Sequence, residues 1–183
     1  IIPEVDMPAH STKIVEAMPQ FACKTNEENI SYWTICAGTE GIFDFYDSVI
    51  TEVCSIFESR YFHIGGDELD FADVPHINQL CYWDKCEKCI ALMKKENIKD
   101  RQELYYYFIN NVYNLVKKHN RTMIMWSDQL DCTREAIIPN DVIMQFWRIA
   151  IKGRGPFENC SMNNQLKMGY ELINSFYPQT YFD

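Results

Sequence analysis

The sequence predicts an α/β fold in which parallel strands alternate with crossover helices, and three observations support this prediction. Short apolar runs recur along the chain, segments with helical spacing of apolar residues separate them, and polar or aromatic side chains follow several of the runs. Parallel strands joined by helices form either a doubly wound sheet or a β/α barrel. The barrel is favoured because a barrel distributes its active site over the C-terminal ends of several strands.

Five apolar runs are predicted to be strands that are buried on both faces. They lie at residues 1–7, 61–64, 122–126, 142–147 and 172–177. A nucleotide-binding sheet would be supported by a Gly-x-Gly-x-x-Gly turn after a strand, and the sequence contains none. A complete barrel has eight strands, so the five runs predict an incomplete one.

Two longer segments have the apolar spacing of helices, residues 42–59 and residues 101–119, and Asp100 is the predicted cap of the second. The stripe of the first comprises Ile42, Phe45, Val49, Val53, Ile56 and Phe57, and that of the second Leu104, Phe108, Val112 and Leu115. Residues 71–99 are predicted to be a loop plus a helix above the barrel, and residues 148–169 an irregular connection.

Composition excludes several classes of function. The 183 residues are 47% hydrophobic, which is enough for one core, so residues 1–183 are predicted to be a single domain or part of one. Acidic residues exceed basic ones by 26 to 17, for a net charge of -9, so a nucleic acid partner is not expected. No apolar stretch reaches the roughly 18 to 20 residues of a membrane span.

The two ends of the sequence predict an excerpt of a longer protein, and its modification motifs predict the cellular compartment. The start, "IIPEVDMPAH", lacks the features of a signal peptide, and both ends are abrupt, so we expect an excerpt of a longer protein, truncated at both ends. The cysteines and three glycosylation acceptors favour the secretory pathway and predict a lysosomal or secreted protein. The acceptors are Asn29, Asn120 and Asn159.

Cysteine spacing also raises a zinc alternative. Cys86 and Cys89 in "CYWDKCEKC" have the spacing of a ligand pair. No matching second cysteine pair or histidine pair follows them, so the sequence predicts no metal site.

The segment "YFHIGGDELDF", residues 61–71, contains the most informative motif. Gly65 and Gly66 allow a sharp turn and a close approach of ligand to backbone. Such a turn can bring Asp67 and Glu68 into one pocket although neighbouring side chains of a strand point to opposite faces. Two carboxylates close together raise the pKa of one of them, which is the requirement for a general acid near neutral pH. The alternative is a helix cap followed by a solvated glutamate.

"HIGGDE" resembles the signature of glycoside hydrolase family 20, the β-N-acetylhexosaminidases, and further motifs resemble that family in order along the whole chain. "EVDMPAH" at residues 4–10 is similar to its Glu-x-Asp-x-Pro-Gly-His segment. Trp126 in "IMWSDQ" and Trp147 in "MQFW" are similar to its pocket tryptophans, and "YFD" at residues 181–183 to its Tyr-x-Asp.

The resemblance implies a (β/α)8 TIM barrel, of which this chain holds the third to seventh strands. It implies a glycosidase that acts on glycans with a terminal N-acetylhexosamine, releases β-linked N-acetylglucosamine or N-acetylgalactosamine with retention, and needs no cofactor. In this family the acetamido oxygen of the substrate is the nucleophile.

The resemblance also implies a role for each site residue. Glu68 is implied as general acid and base, Asp67 as the residue that orients the acetamido group, and Tyr181 as a donor to its oxygen. The other implied site residues are Trp126 and Trp147 around the acetamido methyl, Asp183 on a sugar hydroxyl, and Asp6 and His10 in the network behind Glu68. A disulfide between Cys36 and Cys81 near the acid pair is implied as well.

Departures from the family pattern leave an alternative open. Ala9 stands where the family usually has glycine, and Ser127 and Asp128 follow Trp126 where a glutamate is more usual. The family's arginine from the first strand and its final tryptophan and glutamate are not in this chain. The alternative is therefore a non-catalytic or degenerate paralogue that binds carbohydrate without turnover. The preferred hexosamine and the pairing of two copies as a homodimer are left open by the sequence.

Overall fold

The computed structural model describes residues 1–26, 29–69, 81–134, 138–147 and 160–180, and within them helices alternate with strands. The elements are α1 (Thr12–Ala17), a 3₁₀ turn (Pro19–Phe21), β1 (Ala22–Lys24), β2 (Ile30–Ile35), α2 (Ile42–Ile56), β3 (Tyr61–His63), α3 (Glu87–Glu96), α4 (Arg101–Lys118), β4 (Thr122–Trp126), β5 (Ile143–Phe146), α5 (Met162–Lys167), β6 (Glu171–Asn174) and α6 (Tyr177–Thr180).

A parallel sheet carries the fold. Its strands lie side by side in chain order, β3-β4-β5-β6, and each pair is parallel. Parallel neighbours in chain order with helices between them are the arrangement of a β/α barrel. The predicted α/β fold and incomplete barrel are therefore confirmed.

Residues 3–7 extend along the outer side of β3 and add a fifth parallel segment. The amides of Val5 and Met7 donate to the carbonyls of His63 and Ile64, each at 3.0 Å, and the amide of His63 donates to Pro3 at 3.0 Å. The peptide bond between Met7 and Pro8 is cis. This segment therefore brings the "EVDMPAH" residues next to the end of β3.

Helices α2 and α4 pack on the core. The sequence predicted the buried face of α4 correctly and that of α2 only in part. On α4 the predicted stripe is buried and is widened by Tyr105, Tyr106 and Ile109. On α2 the buried residues are Ile42, Tyr46 and Ile50, whereas Ile56 is 64% exposed. The predicted stripe of α2 was wrong in its centre because Tyr46 turns inward to pack edge-to-face on Phe108, with ring centroids 5.9 Å apart.

Three other predictions need correction. An antiparallel β1–β2 hairpin was not predicted. Within residues 148–169, predicted to be irregular, residues 162–167 form α5, which Ser161 caps. The strand predicted at 172–177 lies at Glu171–Asn174 and is followed by α6. Of residues 71–99, the described part contains a helix as predicted, α3.

No helix in the described ranges has both the length and the apolar character needed to cross a bilayer.

Substitution of Asp100 tests the cap of α4. Its Oδ1 accepts the Glu103 amide at 2.8 Å, and its carboxylate also forms two hydrogen bonds with the Arg134 guanidinium, at 3.1 and 2.9 Å. We expect Asp100→Ala to lower the free energy of unfolding of the full-length protein by about 1 to 2 kcal/mol. Asp100→Asn is the matched control, because it keeps a cap acceptor and weakens only the ion pair. Urea denaturation measures both, and an equal loss in the two variants would contradict the cap.

Candidate active site

A bend of four residues follows β3 and carries the acid pair. In this acid bend, residues 65–68, Gly65, Gly66 and Glu68 have φ angles of +68°, +91° and +49°. Positive φ at non-glycine residues is uncommon and is maintained only where the surroundings hold it. The two glycines predicted to form a sharp turn do so.

Gly65 is required for a second reason, the closeness of Asp6. A Cβ atom at position 65 would collide with the carboxylate of Asp6, and its distance to the Asp6 Cα would be 3.0 Å. The absent side chain therefore lets the Asp6 carboxylate lie directly against the backbone of the acid bend.

Hydrogen bonds from other elements hold the glycine half of the acid bend. The hydroxyl of Tyr105 on α4 donates to the carbonyl of Gly66 at 2.6 Å. The amide of Trp126 on β4 donates to the carbonyl of Gly65 at 2.8 Å. Tyr105 is completely buried, and its hydroxyl finds its partner in the bend, so this bond ties the bend to α4.

The acidic half is held in the same way. The amide of Glu68 donates to Asp128 Oδ2 at 3.1 Å, and the carbonyl of Glu68 accepts the indole N–H of Trp33 at 2.8 Å. On the next residue, the carbonyl of Leu69 accepts the hydroxyl of Thr34 at 3.2 Å. Strand β2 therefore supports the backbone of Glu68 directly.

His10 connects the two acids. Its Nε2 lies 3.3 Å from Asp67 Oδ2 and 3.5 Å from Glu68 Oε2. The ring rests on Trp33, with ring centroids 4.2 Å apart. His10 itself has a positive φ of +52°, which turns its ring from the end of the first extended segment toward the acid bend.

The ionisable groups shift one another's pKa. Burial, followed by the negative charge of Asp67, raises the pKa of Asp6 to about 7. Burial disfavours the imidazolium of His10, but its hydrogen bond to Asp67 and the surrounding negative charges outweigh burial and raise its pKa. The structure thus gives a raised carboxyl pKa to Asp6, a residue that the sequence assigned to the supporting network.

The acids face an open cavity of about 290 Å³. Its lining residues are Glu4, Asp6, Asp67, Glu68, Trp126 and Trp147. Two tryptophans and several carboxylates in one lining combine apolar surface with hydrogen-bonding groups, which suits a small ligand with apolar and polar parts. The predicted residues Asp6, Asp67, Glu68, Trp126 and Trp147 therefore line one cavity, and His10 adjoins it.

One wall of the cavity is fixed by Glu4. The indole N–H of Trp126 donates to Glu4 Oε1 at 3.1 Å, and the same oxygen lies 3.0 Å from His63 Nδ1. His63 packs edge-to-face on Trp126, with centroids 5.3 Å apart. The hydrogen bond to His63 lowers the pKa of Glu4. Glu4 therefore holds the orientation of the Trp126 ring.

Three predicted residues lie outside the described ranges: Tyr181, Asp183 and Asn159. The other two glycosylation acceptors, Asn29 and Asn120, are exposed.

The implied disulfide between Cys36 and Cys81 was wrong. Neither residue belongs to a disulfide, and the sulfur of Cys36 lies 3.7 and 3.6 Å from those of Cys86 and Cys89 instead. The described disulfide joins Cys132 to Cys160. Cys36 follows the β1–β2 hairpin, which was not predicted, and this explains why its neighbours were not predicted either.

Comparison with known proteins identifies the family. The family model "Glycosyl hydrolase family 20, catalytic domain" matches residues 1–183. The chain belongs to this family. A beta-hexosaminidase from Porphyromonas gingivalis is 34% identical over 154 residues, which are 81% of this chain and 18% of that protein. Beta-hexosaminidase subunit A1 from Dictyostelium discoideum is 28% identical over 178 residues, 96% of this chain and 30% of that protein.

A solved structure supports the same assignment. The beta-N-acetylhexosaminidase from Bacteroides fragilis superposes with a TM-score of 0.72 at 29% identity, and the match covers 96% of this chain and 33% of that one. The family 20 chain described here thus spans a third or less of these relatives.

Sequence reasoning missed the residues that hold the acid bend. Tyr105 was outside the predicted stripe of α4, and Trp33 lies in the hairpin that was not predicted. Asp128 was noted as a departure from the family pattern and was given no role, whereas it accepts the amide of Glu68. A signal for Trp33 was available, because "ISYWTI" is rich in β-branched and aromatic residues.

Alanine at Gly65 tests the contact with Asp6. Gly41→Ala is the matched control, because Gly41 also has a positive φ, +78°, but a Cβ there meets nothing within 4 Å. We expect Gly41→Ala to cost about 1 to 2 kcal/mol of stability from backbone strain alone, and Gly65→Ala about 3 kcal/mol or more because a collision is added. Equal losses in urea denaturation of the two full-length variants would show that Asp6 does not lie against Gly65.

Asp6→Asn tests the raised pKa of Asp6. A carboxyl with a raised folded-state pKa contributes stability that is complete below its unfolded pKa of about 4 and is lost as pH rises through the folded value. From pH 4 to pH 7, Asp6→Asn should therefore gain stability relative to the wild type, by on the order of 1 to 2 kcal/mol after allowance for solvent screening. Denaturation at a series of pH values measures this difference. A constant difference would mean that Asp6 ionises as it does in water.

Proposed function

We propose that the full-length protein is a β-N-acetylhexosaminidase that removes terminal β-linked N-acetylglucosamine or N-acetylgalactosamine from glycans with retention of configuration. The observation that carries the proposal is the acid bend, because it presents Asp67 and Glu68 from one turn to a cavity walled by two tryptophans. Family membership and the names of the relatives support the same reaction.

The position of the acids favours substrate assistance. In a retaining glycosidase with its own nucleophile, the two carboxyl groups act from opposite sides of the scissile bond. Asp67 and Glu68 are neighbours in one bend and both lie within 3.5 Å of His10 Nε2, so they approach a substrate from the same side. The attacking atom is then the acetamido oxygen of the substrate, as in the family 20 exception to the two-carboxylate scheme.

In this mechanism, Glu68 protonates the leaving glycosidic oxygen and later accepts a proton from water. Asp67 accepts the acetamido N–H and stabilises the positive charge that develops as the acetamido oxygen closes on the sugar carbon. His10 lies against both carboxylates, and its raised pKa favours the cationic form that stabilises a negative charge beside it. Trp126 and Trp147 enclose the acetamido methyl, Tyr181 donates to the acetamido oxygen, and Asp183 binds a sugar hydroxyl.

A carbohydrate-binding paralogue without turnover is not favoured. The structure keeps both acids, their histidine partner and two aromatic walls around one cavity. A binding protein would need the tryptophans but not a strained backbone that delivers two carboxylates to one place.

We further propose that residues 1–183 form one part of a single catalytic domain in a lysosomal or secreted protein. The disulfide between Cys132 and Cys160 supports an oxidising compartment. The exposure of Asn29 and Asn120 leaves both acceptors accessible to glycosylation.

Leaving-group dependence tests the role of Glu68. The full-length protein is assayed with 4-nitrophenyl N-acetyl-β-glucosaminide and with a chitooligosaccharide. The sugar leaving group of the oligosaccharide depends more strongly on protonation than the 4-nitrophenyl leaving group does. Glu68→Gln should lower kcat by about 10²- to 10⁴-fold on the oligosaccharide and by less on the aryl substrate. Asp67→Asn should slow both substrates alike, and Glu16→Gln, an exposed residue of α1, is the matched control with unchanged rates. Equal losses of Glu68→Gln on both substrates would remove Glu68 from the role of acid.

The nucleophile is tested separately by fluorination of the acetamido methyl of the aryl substrate. Fluorine withdraws electrons from the acetamido oxygen, so each added fluorine should lower the rate if that oxygen attacks. An enzyme carboxylate as nucleophile would leave the rate nearly unchanged, and this outcome would contradict substrate assistance while leaving the glycosidase proposal in place.

A further inference from the structure

Four cysteine side chains meet in the interior, away from the candidate active site. Cys23 lies on β1, Cys36 follows β2, Cys86 precedes α3, and Cys89 lies in the first turn of α3. All four side chains are buried, and Cys86, the most exposed, is 3% accessible. Their sulfur atoms all lie within 4.8 Å of one another. We call this group the thiol cluster.

The distances within the thiol cluster match the coordination of one ion. The sulfur of Cys36 lies 3.7 Å from that of Cys86 and 3.6 Å from that of Cys89, and the sulfurs of Cys23 and Cys89 are 3.9 Å apart. A disulfide needs about 2.05 Å. Four sulfurs bound tetrahedrally to zinc at about 2.3 Å are separated by about 3.8 Å.

We infer that the thiol cluster is a structural zinc site with Cys23, Cys36, Cys86 and Cys89 as its four ligands. Four thiolates in tetrahedral array are the donor set of closed structural zinc sites, which leave no position for water or substrate. Binding of Zn²⁺ displaces one proton from each of the four thiols and changes no oxidation state. No second ligand pair follows Cys86 and Cys89 in the sequence. The β1–β2 hairpin and the residue after it supply this pair, Cys23 and Cys36.

The surrounding backbone holds the two ligand pairs together without the ion. The indole N–H of Trp83 donates to the carbonyl of Ile35 at 2.7 Å, next to Cys36. A Cβ atom at Gly38 would collide with the carbonyl of Lys88 and lie 2.6 Å from the amide of Cys89. The loop after β2 therefore packs directly on the first turn of α3, and only glycine permits that approach.

The start of α3 also compensates for negative charge. Four thiolates and one Zn²⁺ carry a net charge of −2, which is costly to bury without compensation. Cys86 is the N-cap residue of α3 and Cys89 lies in its first turn, where the helix dipole and the N–H groups of the first turn favour anions. The ligand pair is thus placed where a helix stabilises thiolates.

The zinc site has a structural consequence for the acid bend. It joins the β1–β2 hairpin to α3, and β2 carries Trp33 and Thr34, which donate to the carbonyls of Glu68 and Leu69. Loss of the ion removes one of the links between the hairpin and α3 and so weakens the support of Glu68. The ion is a part of the scaffold and takes no part in the reaction itself.

Metal analysis of the full-length protein tests the inference. Zinc content per chain is measured by plasma mass spectrometry for the wild type, for Cys86→Ser, for Cys89→Ser, and for Cys54→Ser as the matched control. Cys54 is a half-buried thiol on α2 outside the thiol cluster. We expect Cys86→Ser and Cys89→Ser to contain one zinc fewer per chain than the wild type and to melt several degrees lower. Cys54→Ser should keep its zinc.

A second measurement keeps the test decisive if the ligand variants fail to fold. Titration of the wild type with an organomercurial, in the presence of a zinc-sensitive dye, should release one zinc ion for about four thiols modified. Replacement by Co²⁺ should give the intense visible bands of a tetrahedral thiolate site. Iron in place of zinc, two disulfides among the four cysteines in freshly purified protein, or equal zinc in the wild type and Cys86→Ser would overturn the inference.

Discussion

The close approach of the Asp6 carboxylate to the backbone of Gly65 is the constraint on which the candidate site depends. It requires a residue without a side chain at the end of β3 and a backbone that turns through left-handed conformations. Positive φ angles cost the two glycines little, but the one at Glu68 is unfavourable by itself. Hydrogen bonds from β2, β4, α4 and Asp128 hold the bend, so the position of the two acids is determined by the packing of most of the described fold.

The charges of the site are distributed so that several acids can share a small volume. Asp6, whose pKa is raised to about 7, keeps its neutral form to a higher pH than an ordinary carboxyl does, and the raised pKa of His10 favours its cationic form. Both effects reduce repulsion between the carboxylates. The result is a cavity lined by several carboxyl groups whose mutual repulsion is reduced by the neutral form of Asp6 and by the His10 ring beside them.

Local patterns in the sequence were sufficient to predict the strands at residues 61–64 and 122–126, the cap and the buried stripe of α4, and the acid bend. The strands, the cap and the stripe depend on neighbours within a few residues, and the acid bend is marked by its own two glycines and two acids, although distant residues hold it. The buried face of α2 depends on Phe108, a residue of another helix, so its own spacing was misleading. Trp33 and Asp128 act on Glu68 across 35 and 60 residues of sequence, and no local pattern indicates such a contact.

The cysteines illustrate the same limit. No second ligand pair follows Cys86 and Cys89 in the sequence, because the other two cysteines lie upstream, one on β1 and one after β2. Pairing of cysteines by resemblance failed for a related reason, since the hairpin decides which sulfurs meet. Oxidised and reduced sulfur therefore coexist in one chain, in a disulfide after β4 and in a compact group beside α3.

Trp33 contacts both Glu68 and His10 from outside the cavity. Its indole N–H donates to the carbonyl of Glu68, and its ring packs against the ring of His10. Trp33 is nevertheless not among the residues that line the cavity. This one ring therefore supports the acid and the imidazole together. The cavity can thus be altered from outside, by substitutions that repack Trp33, without a change in any residue that lines it.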